Sequence, residues 1–174
     1  MEASEILYNR ALRFLAFRPR SEKEVRDNLK RFQSRTHSAS SGRESSKKVE
    51  EVDSGIVDQV INKLKQKNFI NDEEFARWWI EQRTTFRPRG LRLIKIELRQ
   101  KGIDQEIVEK ILRNKDIKIL GKDLINKLIE KRLPRYKGLE KREIYQKLGQ
   151  FLARKGFDYD TIKEAIDEVF KKGV

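Results

Sequence analysis

Residues 86–103 read FRPRGLRLIKIELRQKGI, and this stretch decides how the rest of the chain is read. It opens on a break at Pro88-Arg89. A proline has no N–H to donate and biases the residue before it away from helix, so the pair separates two helices. Leu91, Ile94 and Leu98 follow at spacings of three and four, which sets them on one helical face. Arg87, Arg89, Arg92, Lys95, Arg99 and Lys101 surround that apolar stripe, with Glu97 the one acid among them. Gly102 is the residue helices favour just past their end, and Asp104 supplies the oxygen favoured at the start of the next.

The same design recurs. Residues 17–21 read FRPRS, and Val25 and Leu29 precede Ile94 and Leu98 by the same 69 residues that separate the two motifs. Leu152-Ala153-Arg154-Lys155-Gly156-Phe157 matches Leu98-Arg99-Gln100-Lys101-Gly102-Ile103. All three prolines, Pro19, Pro88 and Pro134, precede an arginine. Three such marks with helical sequence between them imply a threefold internal repeat. The expected fold is all-α: three tandem three-helix repeats in an elongated, curved array. The expected units are 1–70, with a disordered Ser-rich insertion at about 33–52, then 71–115 and 116–174.

Composition agrees. Of 174 residues, 40% are charged and 37% hydrophobic, so any core is thin. The formal charge is +13, from 41 basic and 28 acidic residues, which implies a polyanionic partner, either nucleic acid or an acidic protein surface. The absence of cysteine excludes disulfides, thiolate metal sites and a thiol nucleophile. No run approaches the roughly 20 apolar residues that span a bilayer, and the N-terminus has no signal-type pattern. A soluble, cytoplasmic protein is expected.

Local signals fill in the helices. Residues 4–17 carry the apolar stripe Ile6, Leu7, Ala11, Phe14 and Leu15, and Ser21 to Glu24 form a capping-box pattern. From Gln33 to about Lys48 the apolar pattern vanishes and a mobile serine-rich loop is expected, with His37 an incidental loop residue. Asn71 suits an N-cap, and Asp72, Glu73 and Glu74 complement the helix dipole behind it. Trp78 and Trp79 lie about 100° apart on their helix, so one is expected in the core and the other either against an adjoining repeat or as a partner or base-stacking contact.

No nucleophile–base constellation, phosphate loop or dinucleotide fingerprint can be assembled, so the chain is read as a non-enzyme without cofactor or metal. What remains is a surface for anions. The first basic run is Arg83, Arg87, Arg89, Arg92, Lys95, Arg99 and Lys101. The second is Lys127, Lys131, Arg132, Arg135, Lys137, Lys141 and Arg142, interrupted by Glu130 and Glu140. In a repeat array equivalent faces align, so the runs are expected to form a strip that follows a phosphate backbone.

Three segments, RPRSEKEVRDNL at 18–29, VINKLKQKNFINDEEFARWWIEQR at 60–83 and PRGLRLIKIELRQKGIDQEIVEKIL at 88–112, resemble the RecX family of regulators of the RecA recombinase. The resemblance implies three tandem three-helix units. It also implies binding to the RecA–DNA filament, inhibition of filament growth and strand exchange, and affinity for single- or double-stranded DNA. A monomer is expected. Within the third segment the resemblance assigns Gly90, Leu98 and Gly102 to architecture and Arg92, Arg99 and Lys101 to contact. Asn68 stands where the family pattern often has glycine, and the serine-rich insertion is longer than the pattern. The competing reading is a stand-alone DNA- or RNA-binding protein, on the strength of the charge alone.

Overall fold

The computed structural model describes residues 3–40 and 54–171. Among them are nine α-helices: α1 (Ala3–Leu15), α2 (Glu22–Ser40), α3 (Ser54–Gln66), α4 (Asp72–Thr85), α5 (Leu91–Gln100), α6 (Gln105–Leu112), α7 (Lys115–Arg132), α8 (Lys141–Lys155) and α9 (Tyr159–Lys171). A 3-10 turn at Leu133–Tyr136 joins α7 to α8. The chain divides into two compact units, one of Met1–Phe75 with Lys101–Ile103, the other of Ala76–Gln100 with Asp104–Val174.

In the first unit α1, α2 and α3 pack on one another. Leu7 and Ala11, Val25 and Leu29, and Val57, Ile61 and Leu64 close into one buried cluster, completed by Ile70. In the second unit α8 and α9 pack together against α7, burying Ile125, Ile129, Leu148, Leu152, Ile162 and Ile166. There too α5 packs on α6, and Ile94 and Leu98 of α5 are fully buried. The stripe read from their spacing is thus the face that α5 turns inward.

The helix ends follow the capping signals. The Glu24 N–H donates to Ser21 Oγ at 3.2 Å, and those of Glu73 and Glu74 donate to Asn71 Oδ1 at 3.1 Å. Asp104 caps α6 and Asn114 caps α7 through their side chains. Asn68, in the place of a glycine, adopts φ 56°, and the Phe69 N–H returns to the Leu64 carbonyl. Gly156 closes α8 in the same way at φ 89°, with Phe157 returning to Leu152. Asparagine tolerates the left-handed region well enough to keep the turn.

Each of the first two Pro-Arg turns seats a Lys-Gly turn from later in the chain. In the first unit Ser21 Oγ donates to the Lys101 carbonyl at 2.7 Å. In the second the Gly90 N–H donates to the Lys155 carbonyl at 2.8 Å. A Cβ on Gly90 would collide with the Gly156 carbonyl, which is why that position is glycine while its counterpart can be serine.

Two sequence expectations are corrected. The backbone of α2 is helical through Ser40, so 33–40 is not loop: Gln33 is buried, and His37 sits on a helix. Helix propensity and continuity from a well-packed first half carry the polar second half along. The rest of the serine-rich insertion, 41–53, lies outside the described residues. Both tryptophans are half-buried, and neither is a core residue. The Ser21 cap on the Glu24 N–H is present as expected, and the Glu24 carboxylate itself bonds Arg18 and Lys101.

Candidate functional site

The basic residues of 83–101 divide into two groups by their surroundings. One group is gathered by acids. In the second unit Glu97 receives hydrogen bonds on Oε2 from Trp79 Nε1 at 2.9 Å and Arg83 Nε at 2.5 Å, while Arg89 Nε stands 3.4 Å from Oε1. The Arg83 guanidinium lies 4.2 Å over the Trp79 ring, so the arginine is held by charge and by π contact together. Lys95 pairs with Glu109 at 3.5 Å.

Lys101 behaves differently from its assignment. Its Nζ lies 2.5 Å from Glu24 Oε1 in the first unit, where Arg18 also bonds the same carboxylate at 2.9 Å. Burial pushes the Glu24 carboxyl up, but hydrogen bonds from Arg18 and Lys101 outweigh it and hold the group below its ordinary range. Lys101 therefore secures the Lys-Gly turn on α2, and its charge is largely consumed there.

The other group faces solvent. Arg87, Arg92 and Arg99 are exposed, and among the described residues they form no ion pair. Arg92 and Arg99 are seven apart on α5, hence on one face, with Ile96 between them at 42% exposure. Phe86, which opens the stretch, is 71% exposed beside Arg87, and Phe17 holds the matching place in the first motif at 84%. Sequence reading overlooked these phenylalanines, although both lead an identical F-R-P-R motif.

The second run is also mixed. Lys131, Arg135, Lys137, Lys141 and Arg142 are exposed. Arg132 is half-buried, bonding the Tyr136 hydroxyl at 3.2 Å and lying 4.8 Å over the Phe151 ring. Among the described residues no group of acids or histidines is arranged to hold a metal ion, and no helix is long and apolar enough to cross a membrane.

Capped helices packed into small bundles, with several exposed arginines on their surface, define an all-α helical-repeat protein. The family comparisons make that class specific. Models of the first, second and third three-helix domains of RecX match residues 8–32, 71–112 and 122–166. The chain belongs to the RecX family.

The regulatory protein RecX of Bacillus subtilis (strain 168) is 31% identical over 162 residues, 93% of this chain and 54% of that protein. The regulatory protein RecX of Streptococcus pneumoniae serotype 19F (strain G54) is 33% identical over 162 residues, with 92% and 54% covered. The chain thus spans about half the length of these curated relatives. The crystal structure of RecX from Lactobacillus salivarius superposes with a TM-score of 0.75 at 29% identity, covering 95% of both chains.

Proposed function

We propose that this chain is a non-enzymatic regulator of RecA that binds the RecA–DNA filament and inhibits recombinase activity in homologous recombination and repair. The three units of this reading are 1–70, 71–115 and 116–174. The observation that carries it is the outer face of α5: Arg92, Ile96 and Arg99 are exposed opposite the buried Ile94 and Leu98. A rigid amphipathic helix can thus offer two arginines without loosening its core. Phe86 adds an aromatic surface on which an unstacked base can lie. Arg83 and Arg89, fixed by Glu97, form a preorganised flank to this face, and Lys131, Arg135 and Arg142 extend the cationic surface.

Such a regulator acts by preferring one filament state over another, since a ligand shifts an equilibrium only by its differential affinity. The expected result is suppression of RecA's DNA-dependent ATPase at substoichiometric amounts of this protein. No change at a large molar excess would end the proposal.

The net charge of +13 favours a second reading, a nucleic-acid binder that needs no recombinase. Binding to a preformed RecA filament and to the same bare oligonucleotide at physiological salt separates the two. Tighter binding to the filament supports regulation of RecA, and equal affinity supports the second reading.

A further inference from the structure

Glu24 and Glu97 each gather a pair of cations, and they use them in opposite ways. Glu24 takes Arg18 by its tip. Arg18 Nη1 donates to Oε2 at 3.2 Å and Nη2 donates to Oε1 at 2.9 Å, while Nη1 also donates to the Pro19 carbonyl at 2.8 Å. That guanidinium turns its fork inward. Glu97 takes its arginines by the flank. Arg83 donates to it from Nε, and Nε is also the Arg89 atom that pairs with it. Among the described residues the Nη groups of Arg83 and Arg89 donate no hydrogen bond, and none of them is a buried nitrogen left without a partner. Both forks therefore open to solvent.

These arginines are held before any ligand arrives. Arg83 is fixed at Nε by Glu97 and across its face by the Trp79 ring, and the Trp79 indole N–H donates to the same carboxylate oxygen. The Arg83 side chain is 19% exposed and that of Arg89 44%, so the stems are covered more than those of ordinary surface cations. A long side chain already ordered gives up less rotamer freedom on binding. One carboxylate between two guanidiniums leaves a single positive charge, which a phosphodiester neutralises. The paired N–H groups of each fork also match the spacing of phosphate oxygens. Phe86, between the two arginines in sequence and 71% exposed, gives the neighbouring base a face to lie on, which favours a nucleic-acid strand over an acidic peptide.

We propose that Arg83 and Arg89 form a phosphodiester-binding fork and that Glu97 is its positioning residue. Glu97 thus strengthens the hold on a polyanion although its own charge opposes it. The assignment rests on the reading above in taking DNA as a ligand of this face.

The test is a fluorescein-labelled oligothymidylate titrated with the full chain at low salt, its anisotropy being read with RecA absent. Glu97→Gln removes a negative charge, so charge alone would tighten binding. The fork requires the reverse, binding about fivefold weaker. In a chain that also carries Arg83→Gln and Arg89→Gln the same replacement should no longer weaken binding, because no fork is left to position. Glu97→Asp keeps the charge but draws the carboxylate back, and should fall between the parent and Glu97→Gln. In the parent chain, where no substitution can disturb the fold, the Nη protons of Arg83 and Arg89 should exchange more slowly by NMR once the oligonucleotide is added.

Equal or tighter binding by Glu97→Gln overturns the proposal. Equal weakening with and without the two arginines does so too, by showing that Glu97 acts through the fold. Unaltered Nη exchange in the complex has the same force. Displacement by polyglutamate as readily as by unlabelled oligonucleotide also overturns it, by assigning the fork to protein carboxylates. A parent chain that leaves the oligonucleotide unbound ends the proposal as well, while the ATPase measurement still decides separately whether RecA is regulated.

Discussion

Gly90 and Lys101 show how differently two residues of one motif are used. Gly90 exists so that two backbones can meet. Gly90→Ala forces the Gly156 carbonyl away and is expected to cost about 1–3 kcal/mol in chemical denaturation, with helicity retained. Lys101 is tied to Glu24, whereas Arg92 and Arg99 are not paired among the described residues. Replacing both arginines by glutamine should leave the melting temperature unchanged. If each contacts a phosphate, the slope of log affinity for DNA against log salt should fall by about two. An unchanged slope would remove these residues from the interface. Spacing alone cannot separate Lys101 from Arg99. Both look like surface cations on a basic helix, and the acid that claims Lys101 lies 77 residues earlier in the chain.

Among elements, α5 was the most legible and α2 the least. The α5 stripe, its Pro-Arg start and its Gly102 end follow from 3.6-residue periodicity and terminal chemistry, which are local. The extension of α2 to Ser40 was hidden, because a polar helix has no apolar period to betray it. Ser21 marked the start of α2, but its second cap was hidden: the Glu22 N–H donates to Asp72, fifty residues away. That helix start also makes stability depend on pH. Glu24 is pushed up by burial and pulled further down by Arg18 and Lys101, and Glu22 is likewise held low by Lys65 and Arg26 against its burial.

Carboxyls with a depressed folded pKa stabilise fully above their unfolded value of about 4.3, and that stability is lost as pH falls through the folded value. Asp72 has the opposite sign: burial raises its pKa, so acidification favours its folded form and offsets part of the loss. The melting temperature is therefore expected to drop below about pH 4. Glu24→Gln should start lower at neutral pH and fall less steeply with acid. A drop of the same steepness in this variant would show that Glu24 carries none of the effect.

For the whole molecule, the sequence carried the three-helix theme through its matched Pro-Arg and Lys-Gly motifs, and models of three RecX three-helix domains match 8–32, 71–112 and 122–166. Surface roles were less legible, because an arginine's neighbours in space are set by packing and leave no periodic trace. The first compact unit is not continuous in sequence: it includes Lys101–Ile103 as well as Met1–Phe75. A fragment of residues 1–75 should therefore melt at lower temperature than one of 1–103, measured side by side by circular dichroism. Equal melting would mean that the Ser21 and Glu24 bonds to Lys101 contribute nothing.

Those bonds also set an order of events during translation. An emerging chain builds its earliest bundle first, at about 5–20 residues per second. Here the clasp on that bundle is encoded some eighty positions downstream of Ser21. Until the Lys101 turn has left the ribosomal exit tunnel, the nascent bundle lacks its latch, and chaperones meet an unfinished surface.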